Sequence, residues 1–221
     1  VRRLGRRQVF VHGRDCIRIF TLIAGIKIDR PRRVSLDSCL SMPRHHTMTT
    51  FTLRTLRPDD ASALLAFELD NRAWFERHID ARAGDFYSLD GVREHIAQLL
   101  QGHAQGHAHP CLIVDQHGAL MGRANLKGIG RQSAEVGYRI GQQHAGKGLA
   151  TAALRHLITL ARTQWRLARL TAHAIDGNAA SIRVLERCGF TRGMGVADIA
   201  VVNSVVVDGH EFVLELASGT R

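Results

Sequence analysis

Residues 51–57 (FTLRTLR) alternate between apolar and polar positions, the two-residue period of a half-buried strand, and Pro58 and Asp59 then open a helix through RPDDASALLAFELDNRAWFERHI. From about residue 88 to 101, Leu89, Val92, Ile96, Leu99 and Leu100 recur near a 3.6-residue period and predict a second helix. The polar run QGHAQGHAH connects it to PCLIVDQHGALMGRANLKGI, which reads as two strands turning at Gln116 to Gly118. SAEVGYRI (133–140) is a further strand. After a glycine-rich segment, Leu154, Leu157, Ile158 and Ala161 mark a helix by their i, i+3, i+4, i+7 spacing. LARLTAHAI (167–175) is a strand, NAASIRVLERCGF (178–190) a short helix leaving at Gly189, and EFVLELA (211–217) a closing strand, with one more strand expected between Phe190 and Val207. This order, β-α-α-β-β-β-α-β-α-β plus that extra strand, predicts an α+β fold in which helices cover the faces of one sheet.

A chain of 221 residues with 45% hydrophobic content can bury one good core. The formal charge of +10 suggests a nucleic-acid partner until it is divided along the chain. Residues 1–47 hold eleven Arg and Lys against three aspartates, so most of the excess lies there. The remainder is nearly balanced and lacks the clustered cations that phosphate backbones require, which argues against nucleic-acid binding by the folded part. Residues 1–47 therefore read as a poorly ordered basic leader that need not be native, with Met48 or Met42 as alternative starts, and residues 48–221 as the domain. The apolar run from Ile19 to Ile26 is interrupted by Lys27 and lacks a small-residue cleavage site. No run reaches the roughly 18 apolar residues of a membrane span. Cys16, Cys39, Cys111 and Cys188 form no C-x-x-C pair, which favours a reducing, cytoplasmic setting without structural disulfides.

Bare backbone amides at a helix start, backed by the positive end of the helix dipole, form an anion site. Gly141-Gln-Gln-His-Ala-Gly146-Lys147 has the outline of a nucleotide-triphosphatase loop, but Gly148 stands where that loop needs Ser or Thr for magnesium. The same residues also spell Gln143-x-x-Gly146-x-Gly148 with Ala150 next, and NAASIRVLERCGF places Asn178, Ser181, Val184, Leu185, Gly189 and Phe190 at N-x-x-S-x-x-V-L-x-x-x-G-F. Together, in this order, the two motifs resemble those of the GNAT superfamily of N-acetyltransferases. LDNRAWFERHI, AEVGYRIGQQHAGKGLATAAL and VVVDGHEFVLELA are further similar to its RimJ/RimL branch, the N-terminal protein acetyltransferases and their relatives. The resemblance covers nearly all of residues 51–217 and none of the leader.

The resemblance implies a three-layer α/β/α fold with a mixed, mostly antiparallel sheet of six or seven strands, splayed between strands 4 and 5. It implies acetyl-CoA as co-substrate without a metal and a primary-amine acceptor, with a protein or peptide N-terminus as the leading reading, and it leaves a homodimer open. A small-amine acceptor such as an aminoglycoside or polyamine, or a non-catalytic acyl-CoA-binding regulator, are the alternatives. The implied cofactor-binding residues are Tyr138, Arg139, Ile140, Gln143, His144, Ala145, Gly146, Lys147, Gly148, Leu149, Ala150, Asn178 and Ser181. The side chain of Asn178 would hold the pantetheine arm, and the amides of residues 138–140 would polarise the thioester carbonyl.

In such a reaction an uncharged amine attacks the thioester. Deprotonating a lysine costs roughly 3 kcal/mol more than deprotonating an α-amine, which favours the latter as acceptor. Glu135 is the candidate base, alongside its reading as a strand-face carboxylate in an ion pair. Many relatives protonate the leaving thiolate with a tyrosine on the Asn178 helix, but Leu185 stands there; Ser181 could bond the sulfur or merely support the cap. Tyr138 lines the tunnel or belongs to the core, and Trp74 and Phe75 border the acceptor channel or pack in the core. Cys111 and Cys188 lack a paired histidine in their motifs and read as buried apolar residues. His103, His107, His109 and Cys111 fit no common zinc spacing. After Phe190, where relatives often place a carboxylate or aromatic that holds the amine, this chain has ADIAVVNSVV.

Overall fold

The computed structural model describes residues 51–216; the leader and the last five residues lie outside them. The described chain runs β1 (Phe51–Thr55), α1 (Ala61–Asp70), α2 (Arg72–Phe75), α3 (Leu89–Ala104), β2 (Ala108–Asp115), β3 (Leu120–Gly130), β4 (Ser133–Ile140), α4 (Leu149–Thr163), β5 (Arg169–Ile175), α5 (Ala179–Arg187), β6 (Thr191–Val202) and β7 (Val205–Glu215). Seven strands form one sheet in the order β1-β2-β3-β4-β5-β7-β6, and every neighbouring pair is antiparallel except β4–β5. This is the splayed, mixed sheet anticipated from the resemblance.

Three elements differ from the sequence reading, one of them the closing strand β7, which begins at Val205, six residues earlier than expected. The opening helix breaks at Asn71, whose Nδ2 donates to the Phe67 carbonyl at 2.8 Å and whose Oδ1 accepts the Gln142 amide at 2.8 Å. A side-chain amide that satisfies backbone groups in this way competes with helix continuation. The polar connection is also shorter than expected. Helix α3 continues to Ala104 and β2 begins at Ala108, because His103 bonds the Ala108 carbonyl at 2.9 Å and stacks edge-on with His109 and Trp165. The expected extra strand is β6, joined to β7 through Asn203 and Ser204, both at positive φ as tight hairpin turns require.

Strands β4 and β5 pair only at Ser133, Ala134 and Glu135 against Arg169, Leu170 and Thr171. Beyond Glu135 each strand stays paired on its outer side: β4 to β3 as far as Ile140, and β5 to β7 as far as Ile175. The outer partners therefore hold the two arms apart. Side chains on β4 alternate between faces. Tyr138 meets Ser181 of α5 on one face, whereas Arg139 meets Glu68 of α1 on the other. The gap thus opens onto two chemically different compartments. The core of Leu154, Leu157, Leu126, Ile113, Leu170 and Phe212 is fully buried around it.

Candidate active site

The glycine segment leads from the open end of β4 into α4. Gly146 and Gly148 have φ of +74° and +78°, and a Cβ at either would meet no protein atom within 4 Å. Among the described residues, the amides of Gly146, Lys147 and Gly148 find no backbone acceptor. With the first turn of α4 behind them, they are donors facing open ground. The segment's other end is tight: a Cβ on Gly141 would lie 3.1 Å from the Phe67 ring and 3.4 Å from Asn71 Oδ1, so a side chain there would have to push these neighbours aside by a few tenths of an ångström. Asn71 was not singled out in the sequence, yet it fixes the loop to the end of α1.

A cleft lies beside the loop, lined by His144, Gly146, Gly148, Thr151, Val184 and Arg187. Lys147 is exposed and Arg187 borders the cleft, so the surroundings are cationic. Burial, with Lys147 nearby, lowers the His144 pKa and favours the neutral ring. Gln143 lies in the turn at 142–144 and borders a second cleft with Phe67, Asp70 and Asn71. Ile140, Leu149 and Ala150 are buried and also border the cleft beside the loop.

Asn178 caps α5: its Oδ1 accepts the Ser181 amide at 3.0 Å, which orients the side chain and leaves Nδ2 buried without a partner. An orphaned buried donor costs on the order of 1–3 kcal/mol, so it calls for an acceptor. Ser181 Oγ lies 3.2 Å from Tyr138 Oη, both buried, which joins α5 to β4 across the gap. The Gly141 amide donates to Met121 O of β3, so the alternation along β4 turns the Tyr138 and Ile140 amides toward the gap. Trp74, buried on α2, donates from Nε1 to the Ile140 carbonyl at 3.3 Å and closes that end of the gap.

On the opposite face, Glu135 is half-buried, with Oε1 3.7 Å from Lys127 Nζ and 3.8 Å from His173 Nδ1. Both distances exceed a hydrogen bond, and the Lys127 ammonium holds positive charge close to the carboxylate. His173 stands on β5 just past the last paired residue, and its Nδ1 is buried with no hydrogen-bond partner. The sequence reading missed it, since only the pairing of β5 with β4 brings it beside Glu135. Arg139 sends its side chain away from the glycine segment and into a charged cluster below α1. There Glu68 accepts from Arg123 and Arg139, each at 2.7 Å, with Arg82 at 3.9 Å. Burial pushes the Glu68 carboxyl up, but Arg139, Arg123 and Arg82 together hold it down at about 2.

The remaining candidates serve packing. Cys111 is buried and its pKa is pushed up to about 12, and the Cys188 thiol, 3.7 Å from the Thr151 carbonyl, is raised by burial as well. His109 bonds Trp165 Nε1 at 3.2 Å, and burial lowers its pKa to about 4. Phe75 is buried 5.0 Å from the Arg139 guanidinium. Asp198 and Asp208 join β6 to β7 through the Asp198 amide at 3.0 Å.

A strand-to-helix run of amides without backbone acceptors, an orphaned side-chain amide on the next helix and two parallel strands parted beyond three residue pairs are the features this end of the sheet brings together. The GNAT acetyltransferase domain model matches residues 50–191, and the chain belongs to that family. It is 31% identical over 166 residues to "Probable N-acetyltransferase YjcK" of Bacillus subtilis, covering 73% of this chain and 91% of that one. With "Putative ribosomal N-acetyltransferase YdaF" of the same organism it shares 32% identity over 162 residues, 70% and 85% of the two chains. The fold matches ribosomal-protein-S5-alanine acetyltransferase from Vibrio fischeri with a TM-score of 0.73 at 21% identity, covering 77% and 96%. It matches spermidine N-acetyltransferase from Vibrio cholerae, solved with CoA and spermine, with a TM-score of 0.66 at 20% identity, covering 76% and 97%. The chain is an N-acetyltransferase of the GNAT family. Among the described residues, no helix is long and apolar enough to cross a membrane.

Proposed function

We propose that the chain transfers the acetyl group of acetyl-CoA to the α-amine of a protein or peptide N-terminus. The observation that carries this reading is the orphaned Asn178 Nδ2 on α5, the helix that Ser181 joins to β4, together with the amides of Gly146 to Gly148, which find no backbone acceptor among the described residues. These groups fit the acyl carrier: the loop amides and Arg187 would hold its diphosphate, Asn178 an amide carbonyl of its arm, and the Tyr138 and Ile140 amides the thioester oxygen. The similarity to YdaF, whose name specifies a ribosomal N-acetyltransferase, supports a protein acceptor.

Acetyl-CoA supplies an activated acyl carbon. Glu135 takes a proton from the incoming ammonium, directly or through water, with Lys127 and His173 beside it. The freed nitrogen pair forms the new C–N bond as the C–S bond breaks, and the second proton, which the nitrogen sheds on becoming an amide, passes to the departing thiolate by way of the Ser181 and Tyr138 hydroxyls, 3.2 Å apart, which end neutral. Neither cysteine enters this sequence.

Glu135→Gln keeps the shape of the side chain and removes its basicity. The expected result is a 10²- to 10⁴-fold loss of kcat, the usual order for removing a general base, with the KM for acetyl-CoA unchanged. Acetyl gain is read by mass on a panel of peptides and small amines. Undiminished turnover would remove Glu135 as base, and transfer to polyamines alone would remove the N-terminal acceptor.

A further inference from the structure

A row of ionisable side chains crosses one face of the sheet where β4 and β5 begin to part. Lys127 of β3 is the register partner of Glu135 on β4, Glu135 pairs with Thr171 two residues before His173 on β5, and His173 is the register partner of Glu211 on β7. Residues two apart on a strand share a face, and side chains directly opposite on antiparallel strands stand about 5 Å apart at Cβ. The side chains of Glu135 and His173 are 31% and 21% exposed and Glu211 is half-buried, so the row is reached from solvent. With a neutral ring, one ammonium faces two carboxylates and the row is negative. An imidazolium balances it.

The surroundings of His173 suit a group that receives a proton from Glu135. Its Nδ1 is shut off from solvent and makes no hydrogen bond, and Glu135 is the one carboxylate within 4 Å of the ring among the described residues, with Oε1 at 3.8 Å. That separation is about 1 Å longer than a charge-assisted hydrogen bond, a distance that a turn of a half-exposed glutamate side chain closes. A buried, unpaired nitrogen beside a carboxylate gains a strong hydrogen bond once the two share a proton. General acidities set the direction of transfer: free imidazoles hold a proton about a hundredfold more tightly than free carboxylates, and an α-ammonium holds its own more tightly than either. A proton left on a carboxyl therefore returns readily to the amine, and one moved on to an imidazole returns less readily.

We propose that His173 is the proton-holding partner of Glu135, with Glu211 opposite it stabilising the imidazolium. Glu135 accepts one N–H proton of the acceptor ammonium and passes it to His173 Nδ1, which restores the carboxylate and leaves the positive charge on the ring. The amine keeps its electron pair and attacks the acyl carbon. The imidazolium gives the proton to water after the amide has left. His173 acts through Glu135 and is a positioning residue for the proton, not a contact of the acyl group. The inference rests on Glu135 as the base, the assignment given above, and holds for a peptide or a small-amine acceptor alike.

The full chain is assayed with acetyl-CoA on the amine it acetylates fastest among the peptides and small amines above, and each variant's CoA affinity and Tm are measured beside its turnover. His173→Asn keeps a hydrogen-bonding side chain without the basicity. It should lower kcat roughly 10- to 100-fold, the part of a hundredfold basicity difference to which a proton-transfer rate responds, with the KM for acetyl-CoA unchanged. His173→Ala should lose as much, and imidazole added to the buffer should restore its turnover in a saturable way while leaving the wild type and E135Q unmoved. Because the relay runs through Glu135, the double variant H173N/E135Q should be no slower than E135Q. Glu211→Gln should slow turnover by a smaller factor, up to about fivefold, as expected of a partly exposed charge. Full kcat in H173N, no recovery of a folded H173A with imidazole, or losses that multiply in the double variant would overturn the inference and leave Glu135 as base. Should H173A melt early, H173N and the double variant decide. Undiminished turnover in E135Q, or no transfer by the wild type to any amine, removes the base and this inference with it. Transfer to polyamines alone would instead sink the N-terminal reading, with the same variants then read on spermidine.

Discussion

Glu68→Gln isolates the charge that holds the arginine cluster together, because it preserves volume and one acceptor oxygen while removing the negative charge. In the wild type this carboxylate, fully buried, faces guanidinium nitrogens at 2.7, 2.7 and 3.9 Å. Its pKa falls from an ordinary 4.5 to about 2 in the folded state. A depression of that size corresponds to about 3 kcal/mol of stability at neutral pH, an order-of-magnitude figure. Breaking a buried ion pair by removing one partner costs about 3–5 kcal/mol, which agrees. For a chain of this length each kcal/mol moves the Tm by about 2–4 °C, so E68Q should melt about 6–20 °C below the wild type at pH 7. The sign with pH follows from the direction of the shift. A depressed carboxyl contributes its stability above its unfolded value and loses it as pH falls through the folded value. The gap between wild type and E68Q should therefore be full above about pH 4.5 and close as pH approaches 2. Circular dichroism melts across that series provide the measurement. A deficit under about 2 °C at neutral pH, or one that does not shrink with acid, would refute the claim that Glu68 carries the cluster.

Two other perturbations address the carrier side. Gly148→Ala forces a side chain into a φ of +78° and projects it onto the open side of the loop, so acetyl-CoA KM should rise at least about tenfold with a stability loss of roughly 1–2 kcal/mol; an unchanged KM would mean that the amides do not face the ligand. Asn178→Ala should lose about 1 kcal/mol of stability through its helix cap and also weaken CoA binding. Asn178→Ser, which can still cap, should restore the stability and not the CoA affinity. Recovery of both would reduce Asn178 to a cap alone.

Much of this fold was legible because local rules agree with it. The alternation in SAEVGYRI and the i, i+3, i+4, i+7 spacing from Leu154 to Ala161 located β4 and α4, since a strand or helix with one buried face must repeat at the period of its own backbone. The glycine loop was legible for the same reason. Bare backbone ahead of an amphipathic helix has few structural uses, and a second motif at the right distance narrowed them. Boundaries slipped where side chains took over backbone partners, as Asn71 does at the end of α1 and His103 does after α3.

What the chain alone determined was the set of elements, the glycine-rich turn into α4 and the Asn178 cap, all of which arise between residues only a few positions apart. Tertiary structure decided how far β4 and β5 pair before they part, that His173 stands beside Glu135, and that Glu68 gathers arginines 55 and 71 residues away. None of these has a local signature. A histidine on a strand or a glutamate on a helix reads the same in sequence whatever it meets, and its partner is chosen only when the sheet brings distant segments together.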